Sequence, residues 1–134
     1  MKFFIYIFAI FFNVNFAFGD EMKIEFICEN TTATAVLNDT NSARSLYEIL
    51  PLELDFKDYA GREKIAYLPS KLNYATDPNS DGRVGEIAYF SPWGNLVLFY
   101  KPQPYYDGLI KIGKFENGFD EIINCERVLI QKAE

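Results

Sequence analysis

Whatever chemistry this chain does, it does without histidine, because none occurs among its 134 residues. Ser-His-Asp and Cys-His nucleophilic catalysis and histidine-ligated zinc are therefore excluded. Two cysteines remain, Cys28 and Cys125, too few to hold a metal by themselves. Asp77, Asn79 and Asp81, followed by Gly82, have the spacing that opens an EF-hand calcium loop. The pattern then stops: the position where the loop needs a bidentate glutamate is Ala88, and no helical periodicity flanks it. The stretch reads as an exposed loop, and neither a metal nor a cofactor is expected. What is left is aromatic. Trp93, the only tryptophan, lies in a Ser-Pro-Trp-Gly break, and Tyr105 and Tyr106 sit side by side in a Pro/Gly loop. Rings with polar tips suit ligand grooves. Trp93 also reads equally well as a plug in the core beside its turn.

The first nineteen residues bear on how the cysteines behave. Lys2 is followed by an apolar run from Phe3 to Phe12, and Ala17 and Gly19 are the small residues that signal peptidase requires. Asn13 and Asn15 keep the run below the ~20 residues of a spanning helix. Residues 1–19 are expected to be a cleaved export signal and residues 20–134 one domain, periplasmic or secreted, with no stable membrane insertion after cleavage. In an oxidising compartment a Cys28–Cys125 disulfide is favoured over two separate buried thiols. The formal net charge of −6 becomes more negative when Lys2 is removed, which argues against nucleic acid and anionic membrane as partners.

The elements that must position these residues are mostly strands. Ile24, Phe26 and Cys28 alternate with Lys23 and Glu25, and the Thr/Val-rich run Thr31 to Leu37 completes a hairpin. Capping residues at Asn38–Asn41, followed by Leu46, Ile49 and Leu50, predict a helix from Ser42 to Ile49 that Pro51 stops. Strands follow over Leu52–Phe56 and Lys64–Leu68, then a polar loop from Tyr74 to Val84. The centre of the chain is Gly85 to Lys101, two apolar strands around the break at Ser91–Asn95. The second, Leu96 to Tyr100, has so little polarity that both of its faces must be covered. A strand over Leu109–Lys114, a short helix over Gly118–Ile123 and a strand through Val128 and Ile130 end the chain. The fold class is mainly β: about eight strands in a closed antiparallel barrel, with two short helices at its ends, since closure removes open edges.

The runs DYAGREKIAYLP, GEIAYFSPWGNLVLFYK and LIKIGKFENGF resemble the small bacterial cyclophilin-like proteins, over nearly all of residues 20–134. Tyr59, Gly61, Leu68 and Pro69 also match a strand motif of the true cyclophilins, the peptidyl-prolyl isomerases. Ile112, Gly113, Lys114, Gly118 and Asp120 match a strand-to-helix junction of theirs. The resemblance implies a cyclophilin-like barrel with a groove on its side. The catalytic arginine of the motif falls on Ala66, so no catalytic residue is assigned. Arg62 and Lys64 are the cations near enough to supply a displaced donor, and both also read as exposed strand-end charges. The groove residues implied are drawn from Leu72, Tyr74, Trp93 and Tyr105. The expected function is binding of an unidentified peptide or small-molecule ligand without strong isomerase activity. The alternatives are a periplasmic isomerase with a displaced donor and a structural envelope-associated protein.

Overall fold

The computed structural model describes residues 21–134; the expected export signal lies outside the described residues. The elements in chain order are β1 Lys23–Cys28, β2 Thr31–Leu37, α1 Asn41–Glu48, β3 Leu52–Asp55, β4 Lys57–Tyr59, β5 Glu63–Tyr67, β6 Ser80–Gly82, β7 Glu86–Phe90, β8 Asn95–Phe99, β9 Gln103–Tyr106, β10 Leu109–Asn117, α2 Phe119–Ile122 and β11 Arg127–Lys132. Nine strands form one antiparallel sheet in the order β3-β11-β1-β2-β10-β7-β8-β5-β4. Its two end strands, β3 and β4, are consecutive in the chain and joined through Phe56 alone. Phe56 is 2% exposed and donates its N–H to the Glu126 carbonyl at 2.7 Å. The sheet therefore curls into a nearly closed barrel whose seam is covered by the chain itself, which protects the edges.

Nine sheet strands replace the expected eight, and β6 and β9 pair separately as a two-stranded ribbon. The extra strand of the main sheet is β4. All three of its residues are exposed, so no apolar alternation marks it. The ribbon runs through the stretches expected to be loops. Its strands are polar and short, and they pair across about twenty residues.

Inside the barrel, Ile24 and Phe26 of β1 meet Ile87 and Tyr89 of β7, Leu96 and Leu98 of β8, Ile110 and Ile112 of β10 and Ile130 of β11, all essentially buried. Leu46 from α1 and Ile122 from α2 complete this core. The helix α1 starts one residue earlier than expected. Thr40 Oγ1 accepts from the Ala43 N–H at 3.3 Å, and Asp77 accepts from the N–H groups of Asn41 and Ser42 at 3.1 and 2.8 Å. A carboxylate there complements the helix dipole. The expected covering of β8 on both faces is observed: Leu96 and Leu98 point into the barrel, while Val97 and Phe99 form a second cluster outside it with Ile65, Ala88 and Leu109.

First and last strands are neighbours, with Phe26 opposite Ile130. Cys28 and Cys125 are bonded, with Cα atoms 6.4 Å apart, within the range a disulfide spans.

Candidate functional site

The outer cluster is the floor of a pocket of about 250 Å³ on the barrel's side. Two turns and the ribbon build it. Tyr59 and Arg62 flank a tight turn in which Ala60 and Gly61 both have positive φ, at 57° and 67°. The Arg62 N–H donates to the Tyr59 carbonyl at 3.1 Å, and the Gly61 N–H donates to Asp58 Oδ2 at 3.0 Å. Two positive φ values are the mark of a hairpin turn matched to strand twist. The turn delivers Tyr59, Arg62 and Glu63 to one wall.

The β7–β8 turn supplies the adjoining wall. The Gly94 N–H returns to the Phe90 carbonyl at 2.8 Å, leaving Trp93 at the apex, 48% exposed. Trp93 packs edge-on against Tyr59, with centroids 5.5 Å apart and planes at 79°, and against Phe90, at 5.3 Å and 84°. Phe90 in turn meets Tyr106 of β9 at 5.8 Å. Four rings thus run around the opening. The ribbon closes the far end: Gly82 lies so close over Phe99 that a Cβ there would sit 2.5 Å from the ring. Asn79 ties the ribbon down by donating to Tyr105 Oη at 3.3 Å and accepting from the Gly108 N–H at 3.2 Å. Lys111 Nζ reaches Asp81 at 3.4 Å and Glu86 at 3.1 Å.

Asp77, Asn79 and Asp81 therefore each serve a different part of the molecule, respectively a helix cap, the ribbon and an ion pair. No group of three or more His, Cys, Asp or Glu side chains converges among the described residues.

The polar members of the pocket are fewer and more telling. Asn95, 1% exposed, lines the floor; its Nδ2 donates to the Leu96 carbonyl at 3.1 Å, while its Oδ1 accepts nothing. The neighbouring carbonyl fixes which end of the amide is the donor. Burial pushes the Glu63 carboxyl above its ordinary range, against the pull of Arg62. Arg62 itself donates through Nη2 to the Pro102 carbonyl. Behind this wall Asp58 accepts from the Tyr100 hydroxyl, which holds its carboxyl below the usual range and raises the phenol. Lys64 Nζ lies 3.8 Å from Asp58 and 5.9 Å from the Tyr100 ring centroid.

Of the residues expected at the groove, Trp93 alone lines this pocket. Tyr105 joins Trp93 and Tyr106 around a shallower recess beside it. Leu72 is a core residue, 3% exposed, whose N–H donates to the Tyr89 hydroxyl at 3.2 Å, and Tyr74 packs outside the pocket with its ring 6.3 Å from that of Tyr89. Ala66 belongs to the interior core at 1% exposure, because alternation along β5 turns Ile65 outward and Ala66 inward. A side chain at 66 cannot reach the pocket, so its identity carries no information about a donor there. Tyr59, Glu63, Phe90, Asn95 and Tyr106 were missed as site residues. The signal that could have found Asn95 is its place two residues before Val97 and four before Phe99, on the outer face of a doubly covered strand.

A nearly closed antiparallel barrel with an aromatic-walled pocket on its side defines the architecture of this chain. The cyclophilin-like family model matches residues 26–130, and the chain belongs to that family. A hypothetical protein from Archaeoglobus fulgidus, known from its solution structure, superposes with a TM-score of 0.65 at 18% identity, over 84% of this chain and 95% of that one. That likeness concerns the fold. No curated protein matches the chain significantly. Among the described residues no helix is long and apolar enough to cross a membrane.

Proposed function

We propose that this protein is an exported binding module that holds a peptide side chain or a small ligand in its lateral pocket. The observation that carries the reading is Asn95, an amide carbonyl at the floor of an aromatic-walled cavity with no partner of its own. A buried acceptor left unpaired costs about 1–3 kcal/mol, a cost that a ligand donor removes. At about 250 Å³ the pocket falls below the ~300–1,000 Å³ of sites for drug-sized molecules, so one side chain or a small molecule fits. Export rests on the N-terminal pattern and is supported by the disulfide, which suits an oxidising compartment.

Arg62 keeps prolyl isomerisation as the second reading, since it is a cationic residue lining the pocket. Its bond to Pro102 must break before it can donate to a substrate. The expected result of a proline-exchange assay is therefore little acceleration over the uncatalysed tens to hundreds of seconds. Activity abolished by Arg62→Ala would replace the binding reading with the enzymatic one. Binding is tested by titrating proline-containing tetrapeptides and a small-fragment collection while following the emission of Trp93, a reporter at the pocket rim. Saturable shifts are expected; their absence across both sets sinks the reading. Mass spectrometry of the exported fraction should find Asp20 at or near the N-terminus, and a mature form that retains Met1 would refute export by cleavage.

A further inference from the structure

We infer that the group this pocket takes is a primary ammonium on an alkyl stem, of the kind that ends a lysine side chain or a polyamine. The inference rests on the pocket being a ligand site and names the chemistry it selects. Its basis is a pair of acceptors without side-chain partners in a pocket walled by aromatic rings.

Two pocket groups accept and have nothing to accept from. Asn95 Oδ1 is buried and unpartnered. The Glu63 carboxylate makes no ion pair and no side-chain hydrogen bond among the described residues, although it is partly withdrawn from water. The one cation at the pocket, Arg62, is turned to the Pro102 carbonyl. An anion brought here would face Glu63, and an apolar group would leave both acceptors unpaired.

The walls point the same way. Trp93 stands nearly perpendicular to both Tyr59 and Phe90, and Tyr106 extends the row. Ring faces carry the negative part of the quadrupole and attract a cation within about 6 Å of a centroid. An ammonium brings three donors, enough for Asn95 Oδ1 and a Glu63 oxygen with one to spare. A quaternary ammonium has the charge without the donors and leaves Asn95 unpaired. The stem of a primary ammonium would lie on Val97 and Phe99, which floor the pocket. The chain's net charge of −6 draws cations toward the molecule from a distance.

The test uses n-butylammonium chloride, n-butanol and choline chloride, titrated at constant ionic strength with Trp93 emission as readout. Butylammonium should bind more tightly than butanol by about five-fold or more, the ratio expected of a cation held by rings and a carboxylate. It should also bind more tightly than choline. Glu63→Gln should erase the preference for butylammonium over butanol, whereas Arg62→Gln should increase it. Thermal melts of both variants establish that they fold. Butanol binding as well as butylammonium overturns the inference, as does choline binding better, or equal responses of the two variants. If proline peptides or fragments saturate Trp93 and butylammonium does not, the pocket is a ligand site and this choice of ligand is wrong. If nothing saturates, both readings fall.

Discussion

The inner and outer faces of β8 differ by one residue of register and by everything else. Leu96 and Leu98 face a core in which the one large polar group, the Tyr89 hydroxyl, accepts from the Leu72 N–H. On the other side Asn95, Val97 and Phe99 face a pocket that leaves Asn95 Oδ1 unpaired and Glu63 partly desolvated without an ion partner. Among the described residues, the interior is arranged so that each buried side-chain polar atom has a partner. The outer face is not, and groups left wanting by the fold are where a ligand gains most.

The largest expected effect follows from putting an outer-face residue type on the inner face. Ala66→Arg drives a guanidinium into the apolar core beside Leu96 and Leu98, and should cost more than about 4–5 kcal/mol, the exceptional end of single substitutions. Loss of the cooperative thermal transition would register it. A folded, fully stable variant would mean that residue 66 can turn outward and that the two faces are not distinct.

The disulfide belongs with the interior, since both cysteines pack against its core. Removing it by Cys28→Ser with Cys125→Ser releases a constraint across 97 residues and should cost about 4–5 kcal/mol by loop entropy. Denaturant titration measures this. Trp93 emission in the folded double variant should match that of the parent, because the bridge is on the opposite side of the division.

Asn95→Leu makes the outer face resemble the inner one. It removes the orphaned carbonyl in exchange for an apolar group of the same branching, and should raise stability by about 1–2 kcal/mol while abolishing the response to ammonium. A destabilised variant would show that Asn95 is satisfied in solution, by an ordered water for instance, and would weaken the contrast.

The smallest effect belongs to Glu63→Gln and is read through pH. A carboxyl whose folded pKa is raised binds its proton more tightly in the folded state, so ionising it costs stability. That cost is absent below the unfolded value near 4.5 and complete above the raised folded value. The stability of Glu63→Gln relative to the parent should therefore rise as pH goes from about 4 to 7. A flat difference across that window would place Glu63 in full contact with water.

Much of the barrel was legible along the chain. Alternation marked Ile24 and Phe26 as core-facing, the capping cluster before Ser42 marked the helix to within a residue, and the unbroken apolarity of Leu96 to Tyr100 marked a strand covered twice. Burial leaves its period in the sequence because one face of each strand must shed water. The exposed β4 and the ribbon of β6 and β9 left no such trace, since their partners and not their apolarity make them strands. The pocket was the least legible part. Trp93 stood out by its type, but Leu72 and Tyr74 were drawn in by an alignment that also matched Ala66 to a groove position. Only the tertiary structure brings Tyr59, Glu63, Asn95 and Tyr106 around one cavity from segments up to forty-seven positions apart. Periodicity records that a face is covered; what covers it depends on chain crossings and on register, where a shift of one residue exchanges the two sides of a strand.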